Sequence, residues 1–161
     1  LILQSDNEIL TNNKLHLNLI PSDDFEYLFA LTQQYRYTFS NREFVEECFP
    51  KIFLFWKGFR NGKKIGVVYI MREYYSGHTF YTFDAFKDYR FKNSIATSLA
   101  SGKLVIDYFK ERMPHVRFIY SMHDERNAWA DLALKKLGFF YTNEWFELRH
   151  NVTYNIFAKE L

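Results

Sequence analysis

Cysteine is nearly absent from this chain of 161 residues. The single Cys48 cannot close an internal disulfide or build a cysteine-based zinc cage, so neither a disulfide scaffold nor a zinc finger is available. Glycine and proline are scarce as well, at 6 and 3 residues, which excludes repeat-rich, collagen-like and flexible-linker architectures. Long hydrophobic runs are missing. The apolar stretches 52–56 and 65–71 fall far short of the roughly 18 residues a membrane-spanning helix needs. An excess of one charge is missing too: a net charge of +2 argues against a dedicated nucleic-acid binder, whose surface must neutralise phosphates. The N-terminus lacks the basic and apolar regions of a secretory signal, so the cytoplasm is the expected compartment.

What is present is a globular composition, with 48% hydrophobic and 25% charged residues, enough for one domain with its own core. Aromatic residues are abundant, with 18 Phe, 12 Tyr and 3 Trp, a bias that an AT-rich coding sequence explains as readily as a stacking surface. Alternation around Leu15 and Leu17 predicts a strand over Lys14 to Asn18. Asp23 with Glu26 three residues on resembles a capping box, and Phe25, Leu28, Phe29 and Leu31 give the stripe of a helix behind it. Ser40 and Glu43 repeat that pattern before a second short helix ending near Pro50. Asn61-Gly62 then punctuates two extended runs, 51–60 and 65–72, as the two positive-φ residues of a hairpin turn. A strand over His78 to Phe86 leads through a basic stretch into a helix carrying Ile95, Leu99, Leu104, Ile106 and Phe109, which Pro114 closes. A strand over Val116 to Met122, a helix from Ala128 to Leu137 capped by Gly138, and two strands over 139–148 and 152–158 complete the chain. The expected class is α/β (α+β): one domain over residues 1–161, with 1–13 as an N-terminal extension and a mixed, mostly antiparallel sheet flanked by helices.

Three stretches of that order resemble the GNAT superfamily of N-acetyltransferases. Lys14 to Asp24 is similar to the family's opening strand and helix start. Tyr89-Arg90-Phe91-Lys92-Asn93-Ser94-Ile95-Ala96-Thr97 resembles its Gln/Arg-x-x-Gly-x-Gly/Ala loop running into a helix, with Ser94 and Ala96 in place of the glycines and Phe91 in place of Gln or Arg. Asn127 to Phe139 reproduces the spacing of its Asn…Lys-Leu-Gly-Phe segment. The resemblance implies acetyl-CoA as co-substrate and a small-molecule or peptide amine as acceptor. It places Asn93, Ser94, Ile95, Ala96 and Thr97 at the pyrophosphate with Arg90 and Lys92 as neighbouring charges, Phe83 and Ala85 along the pantetheine arm, and Asn127 on a pantetheine amide. The loop's chemistry is sound in its own right, because backbone N–H groups at a helix N-terminus favour an anion. The resemblance also implies that the strands over Thr79 to Phe86 and Val116 to Met122 diverge and leave room for the arm.

Acyl transfer to an amine needs a base and a proton for the departing thiolate. Asp84, Glu73 and His123 are candidates for the base. The tyrosine that many family members carry four residues before the Gly is Leu134 here, which leaves Tyr141, Tyr120 and Tyr81 as candidate acids. Cys48 lies in an early helix, away from the expected cleft, so no cysteine acyl intermediate is expected. The run His123-Asp124-Glu125 is no metal site, since consecutive residues on an extended chain point to opposite sides. A GNAT-fold module without catalysis, structural or inhibitory, is the alternative that Leu134 and the glycine-poor loop leave open. So is a homodimer or larger assembly.

Overall fold

In a computed structural model, residues 2–4, 9–11, 23–34, 42–90, 95–148 and 152–161 are described. The element order is β1 (Ile2–Gln4), β2 (Ile9–Thr11), α1 (Asp23–Thr32), α2 (Arg42–Cys48), a 3-10 turn (Phe49–Lys51), β3 (Ile52–Arg60), β4 (Lys63–Tyr75) and β5 (His78–Lys87), then α3 (Ile95–Arg112), β6 (Phe118–Asp124), α4 (Ala128–Lys136), β7 (Phe140–Leu148) and β8 (Val152–Glu160). All strands share one mixed sheet in the order β2-β1-β3-β4-β5-β6-β8-β7. The expected α/β class with a mostly antiparallel sheet is therefore what the chain forms. Within the stretch expected to extend ahead of the domain, β1 and β2 pair with each other, and β1 lies antiparallel on β3. The strand expected over Lys14 to Asn18 lies outside the described residues.

Local chemistry explains the turns. Asn61 and Gly62 both hold positive φ, 51° and 72°, the backbone of a type I′ turn whose twist matches the flanking strands. Helix α4 ends because Gly138 takes φ 83°, which lets its N–H reach Lys135 O and the Phe139 N–H reach Leu134 O, closing the helix end on both carbonyls.

Strand alternation sorts the core onto two faces of the sheet. One face carries Phe55, Val67, Tyr69 and Phe86 against Leu28 and Leu31 of α1 and Val45 of α2. The other carries Trp56, Val68, Ile70, Phe83, Ile119 and Phe157 against α3 and Leu134 of α4. Helix α3 buries Thr97, Ser101, Leu104, Val105, Tyr108 and Phe109, one stripe of a 3.6-residue period. Each large side chain fully buried there contributes about 1.5–3 kcal/mol.

Between these layers lies a defect in the sheet that positions the site. Strands β5 and β6 run parallel, and their register is a single pair, Thr82↔Tyr120. Beyond it the strands diverge, because β5 continues to pair with β4 as far as Lys87 while β6 pairs with β8.

Candidate active site

The divergence opens a cavity of about 440 Å³ that reaches both faces of the sheet. Residues 83–87 of β5 form one lip and 121–124 of β6 the other. Parity along each strand decides which side chain looks where. Asp84 is paired in register with Tyr69, whose ring packs with the α1/α2 face, so Asp84 belongs to that chamber with Leu28, Val45, Cys48, Ile52 and Met71. Phe83 packs with the opposite core, and Lys87, on the same parity, approaches α3. Among the described residues the slot is open.

Asp84 is the carboxylic acid in this chamber whose pKa is raised. Burial pushes its carboxyl up to about 7, while hydrogen bonds donated by Ala85 N–H to Oδ1 (2.9 Å) and by Tyr69 O–H to Oδ2 (3.1 Å) work against that shift. A carboxylate poised near neutrality inside a cleft suits a general base. Tyr69 is itself held protonated far above the ordinary phenol range, by burial and then by Asp84. Ala85, expected along the pantetheine arm, has its N–H directed to the Asp84 carboxylate.

His123 lines the cavity from the other face. It stacks on Phe157 with centroids 4.9 Å apart, and Phe157 belongs to the α3/α4 core. Burial lowers its pKa, so the imidazole is neutral at physiological pH, and its Nδ1 is buried without a hydrogen-bond partner among the described residues. The sheet thus separates Asp84 from His123. Tyr141 is exposed on the strand at the sheet's edge, packed obliquely on Phe157 at 5.6 Å, and it does not line the cavity. Tyr81 is held among Phe53 and Phe109, and Tyr120 against Phe80. Glu73 pairs with Lys51 and is likewise outside the lining.

A tyrosine that the sequence reading passed over does reach the chamber. Tyr154 of β8 is paired in register with Asp124 and is buried in the cavity wall. Burial, then the charges of Asp124 and Asp84, raise its hydroxyl well above the ordinary phenol value, so it stays protonated. Its alternation within β8, opposite in parity to core residue Phe157, was the available signal. Asp124 beside it is committed elsewhere: Arg126 grips both oxygens, Nε to Oδ1 at 2.8 Å and Nη2 to Oδ2 at 2.6 Å, and holds its pKa down.

Cys48, expected away from the cleft, lines the α1/α2 chamber because α2 packs over β4. Burial pushes its thiol up to about 11, so it is neutral and a poor nucleophile.

On the α3 side two cations meet the first turn of α3, which contains no acidic residue; Lys87 lines the cavity, and Arg60 lies just outside its lining. Arg60 Nη2 donates to Thr97 Oγ1 at 2.8 Å, and Lys87 Nζ lies 3.5 Å from Ser98 Oγ. Burial and the neighbouring Arg60 charge both lower the Lys87 pKa, the signature of cations crowded together. Neither residue was singled out for this role from sequence, because Arg60 reads as turn solvation and Lys87 sits at a strand end. Arg90, by contrast, is engaged by Asp88, with Nε 3.0 Å from both carboxylate oxygens and Nη2 2.5 Å from Oδ2, so its charge is already balanced. Thr97 accepts from Arg60, and Ile95 lines the mouth beside it while Ala96 is exposed on the same turn. Lys92, Asn93 and Ser94 lie outside the described residues. Asn127 caps α4, its side chain accepting from Ala130 N–H at 3.2 Å, and it lines the cavity with its amide group still able to donate. Among the described residues no group of three or more His, Cys, Asp or Glu could hold a metal, and no helix is long and apolar enough to cross a membrane.

No family model matches the chain, and no curated protein sequence matches it. Solved structures do. An aminoglycoside acetyltransferase in complex with coenzyme A superposes with a TM-score of 0.67 at 12% identity, over 89% of this chain and 93% of that one. The microcin C7 self-immunity acetyltransferase, in complex with acetyl-CoA and AMP, gives 0.63 at 16% identity over 98% of each chain. A chimeric spermidine N-acetyltransferase from Vibrio cholerae and hSSAT gives 0.64 at 12% identity, over 89% of this chain and 95% of the other. The fold is that of the GNAT acetyltransferases.

Proposed function

We propose that this chain is a single-domain acetyl-CoA-dependent N-acetyltransferase of the GNAT superfamily, with the cytoplasm as its place of work. The observation that carries the reading is the polarity of the passage through the sheet, with cations and a helix N-terminus at one mouth and a single carboxylate of raised pKa at the other. A phosphorylated acyl donor suits the first and an amine the second. Arg60, Lys87 and the first turn of α3 would hold the phosphates, and Asn127 would donate to an amide of the pantetheine arm lying in the slot.

In the reaction that follows, a neutral amine attacks the thioester carbonyl carbon. The new C–N bond forms as the C–S bond breaks, the amine proton passes to the Asp84 carboxylate, and the departing thiolate takes a proton. Tyr154 is the proposed source of that proton, since it is buried, held protonated and on the same face as Asp84. Neutral His123 lies on the opposite face and would contact the arm rather than the amine. Attack is direct, because the neutral thiol of Cys48 is unsuited to an acyl-enzyme step.

Heating the protein with and without acetyl-CoA tests the reading. A ligand at 100 times its Kd stabilises the folded state by about 2.7 kcal/mol, which at this chain length raises Tm by several degrees. No shift at millimolar acetyl-CoA would leave the fold intact and remove the enzyme, in favour of a binding or assembly module.

A further inference from the structure

Given the acyl-transfer reading, on which this inference rests, the chamber under α1 and α2 carries information about the acceptor. Its walls are apolar, with Leu28, Val45, Ile52, Met71 and Phe86 foremost. The Thr32 hydroxyl donates to Phe29 O at 2.7 Å and so faces its own helix. Among the described residues two carboxylates line this side, and they differ in what they can offer. Both oxygens of Asp124 are taken by Arg126. Asp84 is bonded by one phenol and one backbone amide, and no cation pairs with it among the described residues.

With one uncompensated carboxylate among the described residues, the chamber can receive one ammonium group. Every further cationic nitrogen on the same ligand would be stripped of water against aliphatic and aromatic walls with no counter-charge. An apolar body, in contrast, gains by leaving water in the same place. We infer that the acceptor is a monoamine, one cationic nitrogen on an alkyl or aryl body, and that polyamines and aminoglycosides are poor substrates. The chamber shares about 440 Å³ with the slot, near the small end of ligand sites, which suits a compact acceptor. This sets the chain apart from the spermidine and aminoglycoside acetyltransferases whose fold it shares.

The experiment compares hexylamine and 2-phenylethylamine with 1,6-diaminohexane, spermidine and kanamycin at saturating acetyl-CoA, reading thiol release at pH 8. Hexylamine and 1,6-diaminohexane differ only in the second cation, so their ratio isolates the charge argument. The expected result is kcat/KM at least tenfold higher for the two monoamines. If acetyl-CoA stabilises the protein but spermidine, kanamycin or the diamine is preferred, or neither monoamine is turned over, the acceptor class is overturned while the cofactor reading stands. If acetyl-CoA fails to stabilise the protein, both fall. A Cys48→Asp variant adds a second carboxylate to the chamber wall and should shift the diamine-to-monoamine ratio several-fold toward the diamine. An unchanged ratio counts against the charge argument even if the wild-type preference is as expected.

Discussion

The two mouths of the passage are built from the same sheet by opposite means. On the α3 side, positive charge is gathered in a place already favoured by a helix N-terminus, and burial, then the neighbouring Arg60 charge, lowers the Lys87 pKa. At the α1/α2 mouth, one carboxylate is placed among apolar walls so that its charge is discouraged. The first arrangement gathers positive charge beside a helix N-terminus, where an anion is favoured. The second is balanced between two protonation states. On the proposed reading, one mouth would serve affinity and the other proton transfer, and the two should respond to different substitutions.

Asp84→Asn is the sharpest way to break that division. The substitution keeps the shape and removes the base, so kcat/KM should fall about 100-fold or more, with the Tm shift induced by acetyl-CoA unchanged. The wild-type pH profile should rise through an apparent pKa near 7, and that limb should vanish in the variant. Steady-state rates from pH 5 to 9 check both. Retention of the limb would move the base elsewhere.

Tyr154→Phe comes next, with an expected loss in kcat of about 10- to 100-fold and little change in the affinity for acetyl-CoA. Because the folded protein holds this phenol protonated, no loss from its ionisation is expected below the ordinary phenol range. Arg60→Ala and Lys87→Ala should act the other way round. Each should weaken acetyl-CoA binding roughly tenfold, as expected for a lost charge-assisted contact, and leave kcat at saturation nearly unchanged. Calorimetric titration at two salt concentrations decides, since losing a phosphate contact also flattens the salt dependence. If either cation variant lowers kcat instead, the two mouths are not separable.

The same comparison reaches stability. The Asp84 carboxyl titrates at about 7 in the folded protein and near 3.8 when unfolded, so between those values the folded state binds more protons, and stability falls as pH rises. His123 has a lowered pKa, so its contribution falls as pH drops through 6.5, in the opposite sense. Urea unfolding of wild type and Asp84→Asn at pH 4 and pH 8 separates them. The variant should gain stability relative to wild type at the higher pH, by at least the ~1.4 kcal/mol that a tenfold difference in proton affinity represents.

Much of the architecture was legible because its signals are local. Asn61-Gly62 needed only its own positive φ values to declare a hairpin, and Gly138 its own to end α4. Asp84 and Asn127, expected at the site from their positions within their elements, both line the cavity. What escaped depends on partners distant in sequence. Arg60 reaches α3 only because β3 ends beside Thr97, and nothing in a linear reading pairs Arg90, expected near the pyrophosphate, with Asp88. Tyr154 and Tyr141 look alike as strand tyrosines. Only the sheet order shows that one faces a cavity and the other an edge. Parity with core neighbours could have been counted from sequence, and it would have put His123 and Asp84 on opposite faces.

Asn127 gives the finest test because it serves both the fold and the proposed site. Its Oδ1 caps α4 through Ala130 N–H, which leaves its Nδ2 as the donor for a ligand amide. Asn127→Asp keeps the acceptor and removes the donor, so it should weaken acetyl-CoA binding several-fold while the urea midpoint holds. Asn127→Ala removes both and should in addition cost about 1 kcal/mol of stability, the worth of an N-cap. If Asp and Ala weaken binding equally but only Ala destabilises, the donor and the cap are independent, and α4 contributes to the slot as a rigid wall carrying one amide. If Asp binds as tightly as Asn, the residue is a cap alone, and the arm must find its hydrogen bonds on the open strand edges of β5 and β6.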